Sequence, residues 1–255
     1  MTNKEILNVA MLQSAMDMNC SKEDFLLKEH KVVISKANDK ARKYLTLPFD
    51  IDMVSYGTNI VASVKPEFKD MVTEYINKYE IQHCFETPNI YVLNEKLASY
   101  DLKVCFMAEF FLPDMNELKL LPCPYEMRVL EHDDFAELYV PEWSNALCDR
   151  RKHLDVLGVG AYDGEKLVGL AACSADGEEM WQIGIDVLPE YRRMGIASAL
   201  TSKLALEIIE RGKVPFYCAA WCNIKSVRNA IKSGFRPAWA ELTIKDNTLI
   251  NGIIK

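Results

Sequence analysis

The sequence predicts a mixed α/β fold, an α+β arrangement in which one packed sheet is flanked by helices. Two observations carry the prediction. Downstream of Tyr125, short runs rich in β-branched and aromatic residues alternate with stretches whose apolar residues return every three or four positions. Turn-forming pairs, Asp163-Gly164 foremost, separate the runs at hairpin spacing.

Taken in order, Tyr125 to Leu130 reads as a strand. Asp133 to Val140 reads as a helix entered through the acidic His132-Asp133-Asp134, with Pro141 ending or kinking it and a helical remainder to about Leu147. Val156 to Tyr162 and Lys166 to Cys173 form a hairpin, and a turn at Ala175-Asp176-Gly177 leads to a third strand, Met180 to Leu188. Pro189-Glu190 opens a long helix that carries Ile196, Leu200, Leu204 and Ile208 on one face and stops at Gly212, the residue type best suited to a left-handed cap. Val214 to Trp221 is a further strand. It runs into a helix with Ile224, Val227 and Ile231 on one face and Gly234 at its end. Phe235 to Ile244 and Leu249 to Ile254 close the chain as strands around Asp246-Asn247. Three prolines between Leu112 and Pro124 break both periodicities, so the expected domains are 1–120 and 121–255.

Bulk properties narrow the function. A length of 255 residues accommodates two modest domains, and 49% hydrophobic with 26% charged residues describes a globular chain. A net charge of -7 argues against a nucleic-acid or membrane-surface binder, which needs a cationic face, and suits a cationic or neutral partner. Neither an apolar span nor a signal-peptide core at Met1-Thr2-Asn3-Lys4-Glu5 is present, which points to the cytoplasm. The eight cysteines are scattered, as reduced core thiols are. Cys218-x-x-x-Cys222 has no second Cys or His pair beside it, so no metal is expected.

The chemistry concentrates after Met180. Gly195 lies near the start of a helix that follows a strand, where unpaired N–H groups from Met194 to Ser198 and the positive end of the helix dipole make an anion site. Gly195 admits a phosphate close to the backbone, Ala197 keeps the next turn slim, and Arg192 and Arg193 add charge at the rim. The pattern is neither a P-loop nor a dinucleotide fingerprint.

Val187-Leu188-Pro189-Glu190-Tyr191-Arg192-Arg193-Met194-Gly195-Ile196-Ala197 resembles the acyl-CoA motif of the GNAT superfamily, whose core is Q/R-x-x-G-x-G/A. Asn223-Ile224-Lys225-Ser226 followed by Ser233-Gly234-Phe235 resembles the family's second signature. The resemblance covers about the last 130 residues and implies an N-acyltransferase using acetyl-CoA or another acyl-CoA, without a metal. Its acceptor would be a small-molecule amine or a peptide or protein amine, attacking the thioester directly in a ternary complex. A homodimer is compatible with it. Cofactor contacts would come from Ile185, Val187, Arg192, Arg193, Met194, Gly195, Ile196, Ala197, Ser198, Asn223 and Ser226, the first two pairing with the pantetheine amides between two splayed parallel strands.

The chain departs from the family where proton transfer is usual. Trp181 stands eleven residues before Arg192, where a base is common, and Ala230 stands seven after Asn223, where a Tyr is common. Glu179 is then the candidate base, directly or through water, and Tyr217 a candidate acid. Catalysis by positioning alone, and a non-catalytic acyl-CoA-binding module, are the alternatives. Trp143, Ser144 and Asn145 fall near the acceptor by topology. In the first half, Val64-Lys65-Pro66-Glu67-Phe68 parallels Val187 to Tyr191, and Asn89-Ile90 parallels Asn223-Ile224, as in a degenerate GNAT-like copy similar to the two-domain glycine N-acyltransferase-like members. Val72 replaces the glycine, so this copy would bind no pyrophosphate.

Overall fold

A computed structural model describes residues 1–254. The elements run in chain order as α1 (Asn3–Met18), β1 (Lys31–Ile34), β2 (Ile51–Ser55), β3 (Val61–Val64), α2 (Lys69–Lys78), α3 (Asn89–Leu97), β4 (Leu102–Pro113), β5 (Glu126–Glu131), β6 (Asp155–Asp163), β7 (Lys166–Ser174), β8 (Met180–Val187), α4 (Ile196–Glu210), β9 (Val214–Ala220), α5 (Ile224–Lys232), β10 (Phe235–Asp246) and α6 (Asn247–Ile253). Two compact units result, neither continuous in sequence. The first unit is Met1–Ala10 with Phe111–Pro237, and the second is Met11–Phe110 with Ala238–Lys255.

In the first unit the strands lie in the order β9-β8-β7-β6-β5. β5 through β8 are antiparallel neighbours, β6 to β8 joined by short turns and β5 to β6 by the long segment 132–154, whereas β8 and β9 are parallel because α4 carries the chain back between them. Ile196, Leu200, Leu204 and Ile208 turn one stripe of α4 onto Val159, Val168, Ala171 and Ile183 of the sheet. Gly169 permits the close approach at the start of α4: a Cβ there would lie 2.9 Å from a methyl of Ile196 and 3.1 Å from one of Leu200. The opposite sheet face is covered by Phe135, Trp143, Ala146 and Leu147 packed on Leu170 and Ala172.

In the second unit the order is β1-β3-β2-β10-β4. Ile51 and Met53 of β2, Ala62 and Val64 of β3, and Leu242 and Ile244 of β10 form one apolar face under Val72, Tyr75 and Ile76 of α2 and Leu93 and Leu97 of α3. Because side chains alternate along a strand, the intervening Asp52, Ser63 and Glu241 fall on the other face, and they too are buried. A 3₁₀ turn at Pro66–Phe68 follows β3 just as one at Pro189–Tyr191 follows β8. Afterwards the two segments part: α2 begins at once and Val72 is buried in it, with no left-handed residue between.

Three sequence expectations are corrected. No α-helix forms between Asp133 and Leu147; 3₁₀ turns at His132–Phe135 and Pro141–Trp143 stand there instead. The backbone N–H groups of Asn145 and Ala146 donate to Asp186 of β8 rather than to carbonyls a turn earlier. The long helix begins at Ile196, not at Pro189, because Arg193 (φ 67°) and Gly195 (φ 85°) are left-handed and outside helical geometry. Leu249 to Ile254 is not a strand. Asp246 accepts the Leu249 N–H at 2.9 Å and caps α6 instead.

Candidate functional site

β8 and β9 are in register over only three pairs, Met180 with Val214, Trp181 with Pro215 and Gln182 with Phe216. Beyond them β8 continues to Val187 and β9 to Ala220 without further register, so the parallel strands diverge toward their C-terminal ends. The Leu188 N–H donates to Val168 on β7. Backbone groups alternate sides along a strand, so those of Ile185 and Val187 point the opposite way, into the divergence from β9.

The chain leaving β8 is pinned before it reaches α4. The Tyr191 hydroxyl donates to Asp163 at 3.0 Å, Lys166 lies 5.0 Å from the Tyr191 ring centroid, and Lys166 pairs with Glu190 at 3.1 Å. Next, the Arg192 Nε donates to the Val187 carbonyl at 2.9 Å, tying the loop to the diverging strand. Arg192, Arg193 and Met194 are exposed. The first N–H bonded within α4 is that of Ala199, to Gly195, so those of Ile196, Ala197 and Ser198 precede the helical ladder. A Cβ at Gly195 would meet nothing within 4 Å, so its glycine answers to the positive φ, and the space beside it is open. The Ser198 hydroxyl turns back to the Gly195 carbonyl and only its N–H remains directed at the loop. These donors, with the dipole and the two arginines, fit a pyrophosphate.

On the other strand, Asn223 caps α5 through a 3.3 Å bond from the Ser226 N–H. The Ser226 hydroxyl lies 2.8 Å from that of Tyr217, the residue directly after the last registered position of β9. Tyr217 is buried against Phe111 and Phe235, and burial raises its pKa despite hydrogen bonds from Ser226 and Asn229. It therefore keeps its proton at neutral pH and can donate one.

The GNAT acetyltransferase family model matches residues 94–239. The chain belongs to the GNAT acetyltransferase family. Solved structures similar to this GNAT chain include a GNAT-family protein from Novosphingobium aromaticivorans DSM 12444, 18% identical with a TM-score of 0.45, where the match covers 56% of this chain and 66% of that one. A GCN5-related N-acetyltransferase-like protein from Streptococcus suis 89/1591 is 22% identical with a TM-score of 0.46, covering 63% and 68%. An acetyltransferase of the GNAT family from Colwellia psychrerythraea is 15% identical with a TM-score of 0.45, covering 72% and 76%. No curated protein matches the sequence significantly.

Within this GNAT domain the two catalytic candidates lie apart. Glu179 precedes β8 at its paired end, about 26 Å of extended strand from Val187, and its carboxylate binds Lys213 at 3.0 Å. Tyr217 lies where the strands part. Gln182, Gly184 and Asp186, which the sequence reading did not single out, lie on β8, and Asn145, expected near the acceptor, meets Asp186 there. Gln182 donates to the Cys218 sulfur at 3.1 Å across the two strands. Asp186 accepts from the Asn145 N–H, the Asn145 side-chain amide and the Ala146 N–H at 2.8, 2.7 and 3.0 Å, clasping the Trp143–Leu147 segment onto β8. Gly184 makes room for that clasp, since a Cβ there would fall 1.9 Å from the Asn145 carbonyl oxygen. No local motif announces this pair. A lone glycine and a lone aspartate inside a strand were the available signal. Among the described residues no group of three or more His, Cys, Asp or Glu side chains is arranged to hold a metal, and no helix is long and apolar enough to cross a membrane.

Proposed function

We propose that the chain transfers an acetyl or short acyl group from acyl-CoA to the amine of an acceptor, within a ternary complex. The observation that carries this reading is the divergence of β8 from β9 immediately beside the Arg192–Ser198 loop, with the backbone groups of Ile185 and Val187 turned into it. An extended pantetheine amide chain would pair with those groups as an added strand. Its pyrophosphate would meet the N–H groups of Ile196 to Ser198, flanked by Arg192 and Arg193. Asn223 and Ser226 line the opposite side.

Holding both reactants in line supplies much of the rate acceleration in such a reaction, because the second-order encounter is already made. The amine nitrogen forms a bond to the thioester carbonyl carbon, the C–S bond breaks, and the departing thiolate takes a proton. Tyr217 is the donor we assign, its hydroxyl held by Ser226. Proton loss from the amine is assigned to water rather than to Glu179, whose Lys213 partner and place at the paired end of β8 remove it from the reacting atoms.

Thiol release from acetyl-CoA, measured over a panel of small amines and peptide N-termini, tests the reading. Release that depends on the amine supports it. Saturable acetyl-CoA binding without release for any amine would instead favour a binding module. Tyr217→Phe is expected to lower kcat roughly 100-fold or more while leaving acetyl-CoA affinity within about twofold, the split expected of a proton donor.

A further inference from the structure

The polar face of the second unit holds charges that the acyl-transfer site does not use. Asp17, Asp52 and Glu241 are each buried around one guanidinium, that of Arg42. Arg42 is fully committed: its Nε donates to Asp17 at 2.5 Å, Nη2 to Glu241 at 3.0 Å, and Nη1 to the Tyr44 hydroxyl, with Phe110 below the guanidinium plane at 5.5 Å. Asp17 is satisfied as well, accepting in addition from the Arg42 N–H at 2.8 Å and from Gln13 at 3.0 Å.

Asp52 differs. It is fully buried, at 0% exposure, and neither carboxylate oxygen has a hydrogen-bond partner. Its cross-strand neighbours are Ser63 on β3 and Thr243 on β10, so the three side chains stand in one row on the same sheet face. Both hydroxyl oxygens are likewise buried and without a partner. Facing side chains in such a row have Cβ atoms only about 5 Å apart. Four buried oxygen atoms therefore stand in one row, and none of them makes a hydrogen bond. Carboxylate and hydroxyl oxygens without other partners are the donors that a hard cation takes.

Charge points the same way. Three carboxylates share one guanidinium, and Asp52 is the one to which Arg42 makes no hydrogen bond. Lys245, two residues beyond Thr243 on the same strand face, is half-buried and stands 6.0 Å over the Phe49 ring without bonding to Asp52. An unpaired buried carboxylate is among the costlier features a fold can carry.

We propose that Asp52, Ser63 and Thr243 form a binding site for a dehydrated monovalent cation of the size of Na⁺, K⁺ or NH₄⁺. The hard, oxygen-only donor set excludes soft transition metals. A single free carboxylate matches one positive charge better than two. The site lies wholly within the second unit and is independent of the acyl-transfer reading.

Thermal unfolding of the full chain in NaCl, KCl, NH₄Cl and tetramethylammonium chloride, at equal concentration and pH, tests the proposal. The tetramethylammonium ion is too large to enter. A bound cation raises Tm by roughly 2–4 °C over the tetramethylammonium value at concentrations near ten times Kd, and the best of the three small ions identifies the occupant. Asp52→Asn abolishes the difference. Should that variant fail to fold, Ser63→Ala is expected to reduce it by at least half. Equal Tm in all four salts overturns the proposal, as does a small-ion advantage that survives undiminished in a folded Asp52→Asn or in Ser63→Ala.

Discussion

Gly184 and Asp186 act as a unit: one residue lacks a side chain so that a backbone carbonyl can sit against the strand, and the other grips the two N–H groups on either side of it. Gly184→Ala puts a methyl where the Asn145 carbonyl stands. The expected cost is about 1–3 kcal/mol in chemical denaturation, with the Trp143–Leu147 segment displaced. Asp155, buried at the start of β6, accepts from the Cys148 N–H at 2.9 Å and from Tyr139 at 3.3 Å, yet its other oxygen has no partner. Burial pushes its pKa up to about 6, outweighing those bonds. A carboxyl raised on folding holds its proton more tightly in the native state than in the unfolded one. Stability is therefore lost as pH rises from about 4 to about 6 and is flat above, by an amount on the order of 2–3 kcal/mol. Urea unfolding across that range should show the fall, and Asp155→Asn should remove it.

The strands were legible because their signals are local. Asp163-Gly164 turns the chain between β6 and β7, and Gly212 and Gly234 both adopt positive φ where α4 and α5 end. Segments decided by distant partners were not legible. Asp133 to Leu147 carries helical spacing, but Asp186, some forty positions along the chain, takes the N–H groups a helix would need. Leu249 to Ile254 reads as a strand from its apolar residues, whereas Leu249 and Ile253 are exposed on α6 and the cap at Asp246 decides its form. Asn223 shows two roles in one residue, a cap for α5 and a wall of the proposed cleft. Asn223→Ala should cost about 1 kcal/mol in thermal unfolding from the lost cap and weaken acetyl-CoA binding in calorimetry.

At the scale of the molecule, the residues of the proposed cofactor site were readable together, where the partners of a proton transfer were not. The Arg192–Ala197 motif is contiguous, and its physics belongs to one loop and one helix end. Proton transfer depends on which side chains from separate strands meet, and Glu179 stands at the paired end of β8 bound to Lys213. Tyr217 acquires its place only through the three-pair register that ends beside it. Isothermal titration of acetyl-CoA into the wild-type chain and into Gly195→Glu tests the central claim most directly. The account predicts saturable binding that the variant abolishes, with its circular dichroism spectrum unchanged, because a carboxylate would fill the open space beside the loop with bulk and negative charge. Equal affinity in the two proteins would contradict it.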